Sequence, residues 1–327
     1  FEGAYSFVLT TKDTLYAARD PLGFRPLCLG SLENGGYAVA SEPIAFFPMG
    51  GKFIREILPG ETIAINDEGV RTIALDKRSK FAQCIFELIY VANINSTVFG
   101  IPVAQFRLRQ GEIISRHLPE DVDLIMSVPH SGMGAAEGTA ASYLAKLRGI
   151  PYLEGLYTSP YRNIKRGQRT FIQPFDREQA AKDKYRAIEY ILNGKRVVVV
   201  DDSIVRGSVI IPVGMVRNAG AKEIHLRSAS PPIKSPCYFG VDMSSNGNDH
   251  DMLLVDRIPD LEERRKYLGV DSLYYLTWRE TVEAAVGNPV EMEDEIDDET
   301  IFERHNFCGS CFTAKYPIAV DGVISKH

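Results

Sequence analysis

Four consecutive valines at positions 197–200 make a short, wholly apolar run. A run of this kind is typical of a strand that is buried on both faces of a parallel sheet. Two acids, Asp201 and Asp202, follow at once, and then a short loop that contains Arg206, Gly207 and Ser208. Residues 209–218 then have the spacing of a helix. The pattern predicts a strand, a loop and a helix in that order.

The same order of elements occurs earlier in the chain. Residues 122–129 form a second apolar run, a glycine-containing turn follows, and residues 138–149 are Ala-rich with helical spacing. Repeated strand–loop–helix units predict an α/β fold with a parallel sheet and helical crossovers. Ligands of such sheets bind beyond the carboxyl ends of the strands. We therefore expect the turns after residues 129 and 200 to lie at the same edge.

The remaining pattern divides the chain in two. Residues 4–10 and 14–18 alternate as paired strands, and the block 1–75 is β-rich. Residues 76–327 make the second predicted domain, in which 103–118 and 260–286 are expected to be helical. The chain begins inside a strand pattern without an initiator Met, so we expect that an upstream part is missing.

Composition limits the functional classes. Of 327 residues, 45% are hydrophobic and 24% are charged, as in ordinary globular proteins. The formal net charge of −6 argues against broad binding to nucleic acid. The sequence shows neither a membrane-spanning run nor a signal peptide pattern. We expect a cytoplasmic protein that binds neither membranes nor nucleic acid.

The loop at 201–208 has the composition of an anion site. A loop between a buried strand and a helix N-terminus presents free backbone N–H groups and the positive end of the helix dipole. The carboxylates of the adjacent aspartates can accept hydrogen bonds from sugar hydroxyls, or bind these hydroxyls through Mg²⁺. Phosphate donors beside diol acceptors suit a ribose 5-phosphate. Many loops of this composition bind nothing, and that alternative stays open from the residues alone.

A basic cluster follows the second predicted helix. Residues 156–173 contain Arg162, Lys165, Arg166 and Arg169. A charge run of this kind is usually a solvated face. In a glycine-containing loop opposite two anion turns, it instead suggests a lid that closes over a polyphosphate.

Five cysteines raise a separate question. Cys308 and Cys311 form a C-x-x-C pair, which in a cytosolic chain indicates metal binding or redox chemistry before a disulfide. Cys84 and Cys237 could complete a four-thiolate site, whereas Cys28 lies in a strand pattern as a small apolar residue. Spacing alone does not choose between Zn²⁺ and an iron–sulfur cluster.

The segment VVVVDDSIVRGS resembles the signature of type I phosphoribosyltransferases, in the form found in glutamine phosphoribosylpyrophosphate amidotransferases. The phrases GAYSFVL, ARDPLGFRPL and ASEPIAFF are similar to the N-terminal-nucleophile glutaminase domain of that family. The resemblance extends over nearly the whole chain. It implies a type I phosphoribosyltransferase sheet with flanking helices, preceded at 1–75 by a partial glutaminase domain.

The resemblance also implies a reaction and its partners. Phosphoribosyl pyrophosphate and ammonia, which the intact family obtains from glutamine, would give 5-phosphoribosylamine and pyrophosphate, the first step of purine synthesis. Mg²⁺ and a [4Fe–4S] cluster are the implied cofactors, and self-association into a homo-oligomer is expected. The cluster would link the C-terminal tail to the phosphoribosyltransferase domain and would take no part in the transfer reaction.

Site residues carry over by position. The implied catalytic residues are Arg169, Asp201 and Asp202, and Mg²⁺ would be held by Ser131, Asp201 and Asp202. The implied substrate-binding residues are Ser131, Gly132, Thr170, Ser203, Val205, Arg206, Gly207 and Ser208. The implied cluster ligands are Cys84, Cys237, Cys308 and Cys311, within contexts similar to the iron–sulfur subgroup.

Departures from the family pattern leave alternatives open. His130 replaces an Asp in the pyrophosphate turn, and Val209 and Ile210 replace small polar residues after Gly207. The chain starts at Phe1 without the family's nucleophilic Cys, so glutaminase activity is not expected of it. An impaired phosphoribosyl pyrophosphate sensor or a degraded fragment is the alternative, and a salvage phosphoribosyltransferase is a weaker third interpretation.

Overall fold

The computed structural model describes residues 1–76, 80–129, 136–158, 185–241, 243, 252–290 and 300–320. The strands, in chain order, are β1 (Ser6–Thr10), β2 (Leu15–Arg19), β3 (Cys28–Ser31), β4 (Tyr37–Ala40), β5 (Lys52–Glu56), β6 (Glu61–Asn66), β7 (Gly69–Leu75), β8 (Gln83–Cys84), β9 (Thr97–Val98), β10 (Ile101–Pro102), β11 (Leu124–Ser127), β12 (Leu156–Thr158), β13 (Tyr185–Ala187), β14 (Arg196–Asp201), β15 (Glu223–Ser228), β16 (Ser272–Tyr275) and β17 (Phe307–Cys308). The helices are α1 (Val103–Ser115), α2 (Ala136–Arg148), α3 (Glu189–Leu192), α4 (Ile210–Asn218), α5 (Leu254–Arg257), α6 (Leu261–Leu268), α7 (Trp278–Val286), α8 (Ile301–Arg304) and α9 (Ser310–Thr313). A 3₁₀ segment spans Pro43–Met49 and a π-helical turn spans Glu87–Val91.

The described residues form two compact units. The N-terminal unit comprises those of Phe1–Phe106, Cys237–Asp242 and Glu291–His327, and the parallel-sheet unit comprises those of Arg107–Pro236 and Met243–Val290. This division differs from the predicted boundary after residue 75, because Ala82 and Cys308 share one apolar cluster with Phe24. The predicted boundary refers to the modules of a family and stays a prediction.

A four-stranded parallel sheet, in the order β11-β14-β15-β16, forms the centre of the second unit. The four valines at 197–200 are all buried, as expected of a strand covered on both faces. Strand β14 pairs with β11 so that Ser127 lies opposite Val200. This sheet, with its helices, confirms the predicted mixed α/β class.

The prediction of continuous helix over 260–286 was wrong. Helix α6 ends at Gly269, which adopts the left-handed conformation with a φ of 68°. After two intervening residues, the segment SLYY forms β16, which pairs with β15 as the fourth parallel strand. The helical pattern resumes only at α7, where Thr277 and Glu280 form a capping box.

The two larger sheets of the N-terminal unit are antiparallel. One has the order β1-β2-β6-β7 and another the order β4-β3-β5. The predicted pairing of the first two strands is confirmed, with Ser6 opposite Arg19. Arg19 is buried, and its guanidinium donates to the carbonyls of Gly23, Arg25 and Ile57. This side chain therefore fixes the turn that follows β2.

Within the described residues, no helix is both long enough and apolar enough to cross a membrane.

Candidate functional site

The carboxyl edge of the parallel sheet brings three residues into line. Asp201 of β14 lies opposite Ser228 of β15, which in turn lies opposite Tyr275 of β16. On the other side of β14, the Val128 amide donates to the Val200 carbonyl at 3.0 Å. The turn after β11 and the loop after β14 therefore start at one edge, as the order of elements predicted.

The two aspartates are the first residues beyond the valine run. Asp201 is 5% exposed and Asp202 is 3% exposed. The Asp202 amide donates to Asp201 Oδ1 at 3.2 Å, and the Ser203 hydroxyl donates to Asp202 Oδ1 at 2.7 Å. Two carboxylates are thus held at the rim of the sheet as hydrogen-bond acceptors. Acceptors of this kind can bind a diol or a divalent cation.

The loop between β14 and α4 turns at Gly207. Its φ of +84° lies in the left-handed region, where side chains with a Cβ are strained. The Ile210 amide donates back to the Gly207 carbonyl, which starts the first turn of α4. In the described structure, the amides of Ser203, Gly207 and Ser208 donate to no main-chain carbonyl. These donors, at a helix N-terminus, form the cradle expected of an anion site.

The segment around α5 supports the loop. The Leu254 amide donates to the Val205 carbonyl at 2.9 Å, and Leu254 is fully buried beside Gly207. Arg257 stacks on the Tyr267 ring at 4.7 Å. The geometry of the loop is therefore set by packing as well as by its own hydrogen bonds.

Tyr275 is a buried residue of this edge that sequence reasoning missed. Burial raises the pKa of its hydroxyl, and the Asp201 carboxylate adds to the shift. The Arg264 guanidinium lies 5.4 Å from the centre of the ring. The segment SLYY could have revealed this position, because aromatic residues are enriched in strands.

Of the predicted phosphoribosyl site residues, the described structure contains Asp201, Asp202, Ser203, Val205, Arg206, Gly207 and Ser208, all within the one strand–loop segment. Ser131, Gly132, Arg169 and Thr170 lie outside the described residues, as do His130 and the rest of the basic cluster. Val209, which replaces a small polar residue, is 6% exposed at the start of α4 and supplies no side-chain cap.

The four predicted cluster cysteines belong to the N-terminal unit. Strand β17 pairs in parallel with β8, so that Cys308 lies opposite Cys84. Cys311 lies in α9, one turn further on, and Cys237 packs in the apolar cluster that also contains Cys308. Cys84, Cys308 and Cys311 are buried. The structure therefore brings together residues that are far apart in sequence.

Burial dominates the chemistry of these thiols. It raises the pKa of the Cys308 thiol to about 11, and raises the pKa of Cys84 and of Cys311 well above the ordinary value. The Cys84, Cys308 and Cys237 sulfurs lie near enough to Cys311 to raise its pKa further. The raised pKa keeps the Cys84, Cys308 and Cys311 thiols protonated unless a cation binds them as thiolates.

Arg25 and Glu87 adjoin this cluster and were not predicted from the sequence. Arg25 Nη1 lies 3.6 Å from Cys84 Sγ, and Arg25 Nη2 lies 3.0 Å from Glu87 Oε1. Burial raises the pKa of Glu87 to about 7 in spite of the nearby guanidinium. Their approach depends on tertiary contacts that local sequence patterns do not report.

No group of three or more His, Cys, Asp or Glu side chains arranged to hold a metal ion occurs in the part of the chain that the structure describes.

The sequence is similar to curated amidophosphoribosyltransferases along its whole length. It is 40% identical over 330 residues to the chloroplastic enzyme of Glycine max, which covers 100% of this chain and 52% of that protein. It is 37% identical over 323 residues to the amidophosphoribosyltransferase of Archaeoglobus fulgidus, covering 98% of this chain and 64% of the relative. The chain thus spans about half to two thirds of the length of the curated relatives that it matches. No protein-family model matches it.

Solved structures agree with the sequence comparison. The glutamine phosphoribosylpyrophosphate amidotransferase from B. subtilis, complexed with ADP and GMP, superposes with a TM-score of 0.80 and 34% identity. The match covers 99% of this chain and 66% of that one. A structure described as the allosteric regulatory enzyme of purine biosynthesis gives a TM-score of 0.79 with 35% identity over 99% of this chain and 65% of that one.

Proposed function

The chain belongs, by homology along its whole length, to the amidophosphoribosyltransferases, and from that premise we propose that it transfers the phosphoribosyl group of phosphoribosyl pyrophosphate to ammonia. The products are 5-phosphoribosylamine and pyrophosphate, at the first step of purine synthesis. The parallel sheet acts as a type I phosphoribosyltransferase fold, and residues 1–75 correspond to part of a glutaminase domain. The chain assembles with copies of itself.

One observation carries this proposal. Two buried carboxylates lie at the carboxyl edge of the sheet, directly before a loop that turns at Gly207. Within the described residues, the amides of Ser203, Gly207 and Ser208 in this loop donate to no main-chain carbonyl. The phosphate and the hydroxyl groups of a ribose 5-phosphate would each have complementary groups at this edge. The loop amides and Arg206 bind the 5-phosphate, while Asp201 and Asp202 accept hydrogen bonds from the ribose hydroxyls.

The transfer itself is a displacement at C1 of the ribose. The ammonia nitrogen forms a bond to C1 as the bond from C1 to the pyrophosphate oxygen breaks, and a proton leaves the new ammonium group. Positive charge develops on the sugar ring during this step, and the two carboxylates lie where they stabilise it. Ser131, Gly132, Arg169 and Thr170 lie outside the described residues, and we assign them to the pyrophosphate only by analogy with the family pattern.

Mg²⁺ suits this edge, because it prefers a few carboxylate oxygens together with phosphate oxygens. Asp201 and Asp202 would supply such oxygens, and Ser131, which lies outside the described residues, would be a further ligand. When bound, Mg²⁺ would neutralise the charge of the departing pyrophosphate.

A [4Fe–4S] cluster suits the four cysteines. Such a cluster binds one thiolate at each iron, so its ligands are spread around a larger centre than the ligands of a single ion. Cys84, Cys308 and Cys311 are buried together, and electrostatic interactions link them to Cys237. We assign the cluster a structural or oxygen-sensing role, in which it performs no step of the transfer.

Two measurements test the proposal. Pyrophosphate release should require phosphoribosyl pyrophosphate, Mg²⁺ and ammonium salts at alkaline pH, where more of the donor is free ammonia. Calorimetric titration with phosphoribosyl pyrophosphate and Mg²⁺ should show binding. Binding without release would instead favour the sensor, for which the absence of a hydroxyl at the buried Val209 is the supporting observation. Absence of both would refute the proposal.

Iron and sulfide analysis of protein purified without oxygen tests the cluster separately. The expected result is bound iron and acid-labile sulfide in equal amounts, lost in Cys308→Ser. Stoichiometric zinc, or no metal, would refute the assignment.

A further inference from the structure

We propose that Arg25 is a positioning residue for the iron–sulfur cluster, which it holds through a hydrogen bond to the sulfur of Cys84 and whose reduction potential it raises. This inference rests on the cluster assigned under the proposed function, and it concerns a residue outside the four cysteine ligands. Arg25 lies 59 positions from Cys84 in the sequence, so only the fold brings them together.

Each of the two terminal nitrogens of the Arg25 guanidinium has its own partner. Nη1 points to Cys84 Sγ at 3.6 Å, while Nη2 is paired with Glu87 Oε1 at 3.0 Å. The Arg25 side chain is 20% exposed and the Glu87 side chain is 4% exposed, so water screens the pair weakly. Glu87 therefore orients the fork of Arg25 against the sulfur.

The backbone around Arg25 is fixed by its neighbours. The Cys84 amide donates to the Phe24 carbonyl at 3.0 Å, and the Phe24 ring stacks on Phe239 at 4.3 Å between centres. A Cβ at Gly240 would lie 3.6 Å from Arg25 Nε, an ordinary van der Waals distance, so Gly240 lies beside the guanidinium. Segments that contain or adjoin Cys84 and Cys237 thus enclose Arg25 together.

The consequence for the cluster follows from charge. A thiolate ligand carries negative charge, and a guanidinium donor stabilises it. One-electron reduction makes the cluster more negative, so a nearby fixed positive charge favours the reduced form and raises the potential. Hydrogen bonds to cluster sulfurs are among the protein features that set such potentials.

A different role would be a purely structural ion pair between Arg25 and Glu87. The two roles separate in the variants Arg25→Gln and Glu87→Gln. Arg25→Gln removes the charge and the guanidinium donor next to the sulfur. Glu87→Gln removes the ion pair but leaves the guanidinium on Cys84, and it also removes a buried negative charge.

The experiment is redox titration of the cluster, followed by its spectra, in the wild-type chain and in Arg25→Gln, Arg25→Lys, Glu87→Gln and Arg55→Gln. Arg55→Gln is the matched control, because Arg55 pairs with Glu61 at 2.7 Å in the same unit and its side-chain hydrogen bonds among the described residues go to Glu56 and Glu61, not to a thiol. Iron loss in air is followed on the same samples, and circular dichroism confirms that each is folded.

We expect Arg25→Gln to shift the oxidised-to-reduced ratio about tenfold toward the oxidised form, a fall of about 59 mV for a one-electron couple. Iron loss in air should be several-fold faster. The reduction potential of Arg25→Lys should lie between those of wild type and Arg25→Gln, and the potential of Arg55→Gln should equal that of wild type. Glu87→Gln should not lower the potential. If Arg25→Gln does not fold, Arg25→Lys decides the question.

Equal potentials in wild type and folded Arg25 variants would overturn the inference, as would a fall in Glu87→Gln equal to that in Arg25→Gln. A wild-type chain without iron and sulfide would overturn the cluster and this role together, whereas the phosphoribosyl assay would still report separately on the transfer. Full transfer activity with unchanged potentials would leave the proposed reaction standing and remove only the role of Arg25.

Discussion

Gly207 offers a substitution whose effect can be worked out from the structure. Its φ of +84° costs an alanine about 1–2 kcal/mol, because a Cβ in the left-handed region approaches the following carbonyl. The added methyl would also lie 3.2 Å from Leu254 Cδ1, which is fully buried. We expect Gly207→Ala to lower the free energy of unfolding by about 1–2 kcal/mol.

The same substitution should weaken ligand binding. Relief of the strain moves the loop, and the amides of the cradle no longer point at one position. We expect the affinity for phosphoribosyl pyrophosphate to fall about tenfold, which corresponds to ~1.4 kcal/mol. Urea denaturation gives the change in stability, and calorimetric titration gives the change in affinity.

Gly214→Ala is the matched control, because Gly214 lies in the helix that follows the same loop. A Cβ there meets nothing within 4 Å, and its φ is not positive. Alanine in a helix interior is more stable than glycine by roughly 0.5–1 kcal/mol. The two alanine variants should therefore change stability in opposite directions. Changes of the same sign, or unchanged affinity in Gly207→Ala, would refute this account of the loop.

Further predictions concern buried carboxylates of the N-terminal unit. The pKa of Glu87 is raised from its ordinary 4.5 to about 7, so the folded state holds a proton that the unfolded state has lost between these pH values. Stability of the metal-free chain should fall as pH rises from about 4.5 to about 7, and Glu87→Gln should flatten that slope in urea titrations. Glu61 accepts from both Arg55 nitrogens and from the Thr72 hydroxyl, which helps to hold its pKa below the ordinary value although burial opposes the shift. The contribution of Glu61 to the free energy of unfolding should be present above pH 4.5 and decline as pH falls through its lower folded pKa. Glu61→Gln should destabilise the chain by about 1–3 kcal/mol at pH 7. An unchanged urea midpoint would contradict this.

The sequence predicted the part of the fold that local pattern controls. The run of valines at 197–200 determines a doubly buried strand, and acids and glycine immediately after it determine where the strand ends. The parallel pairing with the strand at 124–127 followed from the order of the elements alone. These features gave the position of Asp201 and Asp202 at the sheet edge.

Features set by distant contacts could not be predicted in this way. The strand Ser272–Tyr275 is four residues long and lies between two helices, so helical periodicity on either side obscured it. Arg25 reaches Cys84 only because an apolar cluster joins segments that are far apart in sequence. That cluster also places Ala82 and Cys308 in the N-terminal unit, across the predicted boundary at residue 75.

The most direct test of the central proposal is calorimetric titration of wild type, Asp201→Asn and Asp202→Asn with phosphoribosyl pyrophosphate in the presence of Mg²⁺. Hydrogen bonds to charged groups contribute about 1.5–3 kcal/mol, so each variant should bind at least about tenfold more weakly than wild type. The affinities of the three proteins for ribose 5-phosphate should follow the same order, since this ligand carries the same diol and phosphate. Equal affinity of all three proteins, or no binding by wild type, would contradict the assignment of this sheet edge as the sugar phosphate site.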